Sequence, residues 1–335
     1  MKPLAVLSMV LSLFVLAVPT FSQQSTQHAF LWTRASGMQD LGSLGGSSYA
    51  QTINSSGEVA GYFVTTLGDL HAFVWTASSG MQDIGTLGGT ASVAFGINDA
   101  GQVSGWATTA TGDVHAFLWT ASGGMQDIGT LGGSSSQANA VNNNGAAAGD
   151  SLTTGDSIDH AFIRTAIGRM WDLGTLGGTN SYANALNIHN AVVGNSLTVT
   201  GDEHAFLWTK TTGMQDLGTL GGTSTAIGIN ALNAVVGFSV YSGGSPFHAF
   251  LWTQSGGMQD LGTVGASGAN SDAFGINRFG QIAGYSYTDS SNSVYHAAIW
   301  GFNHKIQDIG TLGGQNSSAL AINDLGQVVG DSDIQ

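Results

Sequence analysis

The chain has no cysteine, only three prolines, and charge on only 8% of its 335 residues. Without cysteine there is no disulfide framework, and any stability must come from a packed core and hydrogen bonds. Scarce proline together with 51 glycines argues against collagen-like and polyproline segments and fits many short strands joined by tight turns. Positive charge is scarcest of all, with 7 Lys and Arg against 21 Asp and Glu and a net charge of −14. That balance speaks against nucleic acid and anionic lipid surfaces as partners. Exposed helices usually carry Lys and Glu, and here Ser, Thr, Asn and Gln supply the polarity instead, so almost no helix is expected. After residue 18 there is no apolar run long enough to span a membrane.

The one long apolar run is at the start. Lys2 precedes Leu4 to Val18, and Thr20 and Ser22 place small residues before a cut after Ser22. This is the pattern of a secretory signal peptide over residues 1–22, so an exported or periplasmic chain is expected, soluble after cleavage.

The rest is one sentence written seven times. His-Ala-Phe recurs at His28, His71, His115, His160, His204 and His248, with His-Ala-Ala at His296, at spacings of 43 to 48 residues. A unit of that size cannot bury its own apolar face, so the copies must stack, and seven of them can close a ring. Within a copy the pattern reads as four short strands. For the second unit these are Ala94–Asn98, Gln102–Ala107, His115–Thr120 and Met125–Leu131. Three residues after a constant Asn stand Gly57, Gly101, Gly145, Asn190, Asn233, Gly280 and Gly326, the two residue types that tolerate positive φ, which marks a hairpin turn.

The first strand carries Ala50, Ala94, Ala138, Ala183, Ala226, Ala273 and Ala319, then a small residue two further on, then Asn, which alternation would place on one face. Small side chains mark a crowded position, so this strand is expected nearest the axis. A constant Gly on the second strand (Gly61, Gly105 and equivalents) fits the same crowding. The third strand places His, Phe and Trp on one face and small or aliphatic residues on the other. The expected fold is all-β, a seven-bladed propeller of four-stranded antiparallel blades. A β-solenoid or linear array is the alternative. Because the chain begins at a third strand and ends at a second, one blade should combine both termini.

Chemistry is less legible. The seven His recur with seven Asp: Asp40, Asp83, Asp127, Asp172, Asp216, Asp260 and Asp308. A repeated His–Asp pair reads as structural hydrogen bonding within each unit and not as a metal centre, which needs several ligands on one ion. The Leu-Gly-Thr-Leu-Gly-Gly run lacks the Lys and helix of a phosphate loop, so no nucleotide cofactor is implied. Thr-Gly-Asp before His115 reads as a turn and not as a calcium loop. Glu58 and Glu203 are the only glutamates, and nothing selects a catalytic pair. The position after the constant second-strand Gly varies instead: Tyr62, Trp106, Asp150, Asn195, Phe238, Tyr285 and Asp331. Its aromatics Tyr62, Trp106, Phe238 and Tyr285 are the candidate ligand-binding residues, expected where strands exit toward solvent.

The constant text, His-Ala-Phe-Leu-Trp-Thr, Gly-Met-Gln-Asp-Leu-Gly-Thr-Leu-Gly-Gly and Ala-x-x-Ile-Asn-x-x-Gly-x-Val-Val-Gly, resembles the HAF family of extracellular bacterial repeats from His28 to Gly330. Arg164 in place of Trp, Gly265-Ala266 in place of Gly-Gly, and Ala298 in place of Phe depart from it. The resemblance implies export and a repeat architecture, and it implies no reaction, cofactor or catalytic residue. The expected function is therefore a secreted, non-catalytic binding or structural protein, acting as a monomer on carbohydrate or protein. A secreted polysaccharide hydrolase or lyase on the same scaffold is the alternative.

Overall fold

A computed structural model describes residues 27–265, 268–289, 291–301 and 305–334. The expected signal peptide lies outside the described residues. Twenty-eight strands form seven four-stranded antiparallel sheets, a seven-bladed β-propeller, with no helix among the described residues. Blade one is β3 (Ser48–Ile53), β4 (Val59–Val64), β5 (Leu70–Thr76) and β6 (Gly80–Asp83). Blade two is β7 (Gly88–Ile97), β8 (Val103–Thr109), β9 (Val114–Thr120) and β10 (Gly124–Asp127). Four more blades follow in the same order. Blade seven is split: β27 (Gly313–Ile322) and β28 (Val328–Ile334) from the end pair with β1 (Gln27–Thr33) and β2 (Gly37–Asp40) from the start. That latch joins the first and last described strands in one sheet and leaves no gap in the ring.

The first strand of each blade is innermost. β3 touches β7 and β27, and the first strands contact one another in sequence around the ring. The crowding is direct at three of the small positions. A Cβ on Gly96 would press on the Ala140 backbone, one on Gly228 on the Phe274 carbonyl, and one on Gly275 on the Ala321 backbone.

Three expectations need correction. First, each inner strand carries a β-bulge, for example between Ala50 and Thr52, which pair with the adjacent residues Gly61 and Ala60. The extra residue breaks the alternation. Ala50 packs toward blade seven, whereas the equivalent of Thr52 packs toward the following blade, as Ala321 does against blade one. Second, the constant second-strand Gly answers to this bulge. A Cβ at Gly61, Gly105, Gly149, Gly194, Gly237, Gly284 or Gly330 would collide with a carbonyl of its own inner strand, such as Tyr49 O or Val93 O. Third, the fourth strand is shorter than expected, ending at Asp127. In five blades the Gly-Gly pair does not lie in a loop, since Gly88, Gly132, Gly177, Gly221 and Gly313 each begin the next inner strand, whereas Gly45 and Gly46 precede β3.

The turn after the constant Asn is left-handed as read, with φ of +81° at Gly57, +60° at Asn190 and +59° at Asn233. The core is a set of inter-blade layers. Phe73 and Trp75 of blade one pack with Ala29, Leu31 and Val329 of blade seven, while Ala60 and Ala72 face Ala94, Val103 and Phe117 of blade two. Both faces of each sheet are thus apolar, with aromatics on one and small residues on the other.

Candidate functional site

Which residues are free to bind depends on which are already committed to holding the ring. Three polar devices recur in every unit. The first is the constant Asn. Its Oδ1 accepts from its own turn, as Asn54 does from Ser56 N at 3.0 Å and Glu58 N at 2.9 Å. Its Nδ2 donates to the Asn carbonyl of the next blade: Asn54 to Asn98, and on through Asn142, Asn187, Asn230, Asn277 and Asn323 back to Asn54. These bonds of 2.9–3.2 Å form a closed ring at the axis. The second device is a Ser on each inner strand. Ser92 Oγ accepts from Ala72 N of the preceding blade and donates to Gly85 O, and Ser48, Ser136, Ser181, Ser224, Ser271 and Ser317 repeat it.

The third device is the His–Asp pair. All seven form within their blade, with Nδ1 to carboxylate distances from 2.6 Å at His115–Asp127 to 3.0 Å at His248–Asp260. An ionised carboxylate only accepts, so Nδ1 carries the proton. Each Asp also accepts from the N–H two residues on, as Asp127 does from Gly129 at 2.8 Å. The imidazoles are 16–26% exposed, so they lie at the sheet margin and not in the deep core. At Asp260 burial opposes ionisation, but hydrogen bonds from His248, Tyr241 and Gly262 N outweigh it and hold the carboxyl down at about 2.

The Asn turns define one face of the ring. The mouth of the axis there is a cavity of about 400 Å³ reached by all seven blades, with Asn54 and Asn323 among its walls. The opposite face carries the loops between second and third strands and between blades. The two glutamates are on different faces: Glu58 sits in an Asn turn, where it accepts from Asn54 Nδ2, and Glu203 begins a third strand, where it accepts from Thr225 Oγ1.

The variable position after the second-strand Gly belongs to the loop-face half of the sheet. It is not at a strand exit. Tyr62 is the fourth of six residues in β4, and Trp106, Phe238 and Tyr285 are equally internal to their strands. All four are half-buried. The alternation that sends Phe63 toward the preceding blade sends Tyr62 toward the next, into an inter-blade seam. The four candidates therefore lie in four different seams. Trp106 and Phe238 stand away from the other two.

Tyr62 and Tyr285 join a larger group across three neighbouring blades. In blade one Tyr62 stacks on Tyr49 with centroids 4.8 Å apart. In blade six, β23 (Ser271–Ile276), β24 (Ile282–Tyr287) and β25 (Tyr295–Trp300) bring four rings together. Tyr285 lies 5.7 Å from Phe274, 5.8 Å from Tyr287 and 5.3 Å from Tyr295, and Tyr287 lies 5.5 Å from Tyr295. Their planes are tilted 39–81° to one another, so the rings pack edge to face and do not stack. Between them, blade seven supplies Asp331 and Asp333, whose charges act on both Tyr295 and Tyr49.

Burial also reaches the carboxyls. It pushes Asp331 up to about 6, against a hydrogen bond from Ser318. Asp272, paired in register with Tyr285, is 1% exposed, and burial pushes it well above the ordinary carboxylate range. Its Oδ1 has no hydrogen-bond partner among the described residues. A second, smaller polar seam lies between blades three and four. There burial pushes Asp150 up to about 7, despite amide bonds from Gln137 at 3.0 Å and Asn139 at 3.2 Å, with the charge of Asp159 adding to the rise.

Sequence reasoning missed Asp272, Tyr287, Tyr295 and Asp333. None has a conspicuous spacing. The only sign was that the partner position on the inner strand varies as the candidate position does: Tyr49, Val93, Gln137, Tyr182, Thr225, Asp272 and Ser318.

No family model matches the chain, and no curated protein matches it. Solved structures similar to it include TolB from Acinetobacter baumannii, at 11% identity and a TM-score of 0.52, covering 74% of this chain and 62% of that one. A TolB-type protein from Agrobacterium tumefaciens is similar at 8% identity and 0.54, covering 93% and 99%. The BP39L lectin from Burkholderia pseudomallei is similar at 10% and 0.50, covering 87% and 99%. This chain thus spans less than two thirds of the Acinetobacter protein. At these identities the likeness is one of fold.

Proposed function

We propose that this chain is an exported, non-catalytic binding propeller of the HAF repeat type whose ligand, a glycan or a protein, is held on the loop face. One observation carries the reading. The constant polar residues are committed to the scaffold, whereas the variable ones gather as a tyrosine–carboxyl arc from Tyr285 through Asp331 to Tyr62. Aromatic faces with a few convergent polar groups are the composition of a ligand site. Export is supported by the N-terminal Lys2 and the apolar run that follows it.

A hydrolase or lyase is the second reading. It has one observation in its favour, the Asp150 carboxyl held near 7, where a general acid works best. A glycan array followed by a reducing-end assay separates the two. Binding without turnover supports the first reading, and release of reducing ends that Asp150→Asn abolishes supports the second.

A further inference from the structure

We infer that the seam between blades two and three holds a second ligand site, which takes the carboxylate of an acidic sugar. It lies on the Asn-turn face, opposite the loop face, and so goes beyond the reading above. A cavity of about 390 Å³ opens there between Arg164 of blade three and Gln102, Leu118, Thr120 and Gln126 of blade two.

This is the seam where the repeat breaks. The Trp of the third strand is present in six blades, as Trp32, Trp75, Trp119, Trp208, Trp252 and Trp300, and each indole packs in the apolar layer toward the preceding blade. In blade three that position is Arg164, the last residue of β13 (Asp159–Arg164). The layer between blades two and three accordingly has no indole, and its buried members are Ala116, Ala138, Ala147 and Phe162. The cavity opens where the other seams carry a tryptophan.

Arg164 is half-buried, and its guanidinium has no ion pair and no hydrogen bond among the described residues. A guanidinium presents paired N–H groups in one plane, which match the two oxygens of a single carboxylate. One cation answers one negative charge. A phosphate dianion would leave a charge uncompensated in a chain whose net charge is already −14.

The remaining polar groups of the cavity point to a sugar as the carrier. Gln102 Oε1 accepts from Asn98 Nδ2 at 2.7 Å, leaving Nε2 a free donor. Thr120 Oγ1 accepts from Gly123 N at 3.0 Å, and its own proton remains to be given. Asn144 Nδ2 donates to Ile188 O at 2.9 Å, and its Oδ1 is an open acceptor. The Gln126 amide has no partner among the described residues. Donors and acceptors mixed around one cation match hydroxyl groups, each of which both donates and accepts. Leu118 and Ile128 supply an apolar wall for the C–H groups of the ring. The volume is at the small end of the range for ligand pockets, about 300–1,000 Å³, so a short saccharide fits. A peptide end offers fewer such groups in the same volume.

The test is calorimetric titration of the full chain with three probes. These are cellobiouronic acid, cellobiose, which has a hydroxymethyl group in place of the carboxylate, and N-acetyl-dialanine, a carboxylate without a sugar. The expected result is binding of the acidic disaccharide at least tenfold tighter than cellobiose, and a loss of at least tenfold in Arg164→Gln. Arg164→Trp restores the repeat residue and fills the cavity, so it should abolish binding without lowering the melting temperature. Melting curves show that each variant is folded. Peptide binding tighter than that of the acidic disaccharide, and lost in Arg164→Gln, would overturn the sugar carrier. Equal binding of the two disaccharides would overturn the carboxylate. Binding undiminished in both folded variants would overturn this seam as the site. No binding of any probe would overturn the inference altogether and leave the loop-face reading standing.

Discussion

Asn323 Nδ2 donates to the carbonyl of Asn54 at 3.0 Å, joining residues 269 positions apart. It is chemically the same bond that links each other pair of neighbouring blades, yet it alone crosses from the end of the chain to its beginning. The ring is therefore closed twice, at the axis by this amide and in the sheet by the pairing of β1 with β28.

Asn323→Ala should destabilise the protein by about 1–3 kcal/mol, because it leaves the Asn54 carbonyl and two turn N–H groups short of a buried partner. Urea unfolding would measure it. A midpoint equal to that of the parent chain would show that the Asn ring contributes nothing to closure.

Ser136→Ala should cost a similar amount, about 2 kcal/mol, by orphaning Ala116 N and Gly129 O together. The exposed Ser122→Ala serves as a control, with an expected change within about 0.5 kcal/mol. Equal effects for the two substitutions would contradict the bridging role.

His115→Ala should have a smaller effect, about 1 kcal/mol or less, since the pair with Asp127 sits at a partly exposed margin. Ligand affinity should not change. Loss of binding with stability intact would instead make the His ring functional.

Stability should fall as pH rises from about 4 to about 7. In the folded chain Asp331 and Asp150 keep their protons up to about 6 and 7, whereas the unfolded chain releases them near pH 4. Through that window the native state binds more protons, so deprotonation favours unfolding. Asp260 acts oppositely: held down at about 2, it contributes stability above pH 4 that is lost as pH falls toward 2. The melting temperature is thus expected to peak at mildly acidic pH. A double Asp150→Asn, Asp331→Asn variant should flatten the slope between pH 4 and 7. A parent chain whose melting temperature rises over that range would refute the assignment.

The architecture was legible because it is written in repeated text. Seven copies, four strand-length segments each, and a chain offset by two strands imply a ring with one split blade. Repetition also exposed the left-handed turn, where Gly and Asn exchange at one position, and the His–Asp spacing, which the fold converts into contact. The Ser bridge was equally repeated, at Ser48, Ser92, Ser136, Ser181, Ser224, Ser271 and Ser317, but a Ser on a small-residue strand has no local signature that separates a bridge from a packing residue.

The bulge and the site were not legible. An extra residue in a strand is defined only by the register of its partner, so the opposite facing of Ala50 and Thr52 and the true reason for Gly61 appear only once β3 is laid on β4. The same holds for Trp300, which is drawn fully into the core of blade six, the blade with Ala298 in the Phe position, where it donates to Leu261 O. Sequence alone determined what every unit shares, because one local pattern satisfied seven times needs no knowledge of its neighbours. Tertiary structure decided what makes one seam unlike the rest. Tyr49, Asp272, Tyr295 and Asp331 come from four strands on three blades, and only closure of the ring brings the last blade, with its two carboxyls, between the first and the sixth.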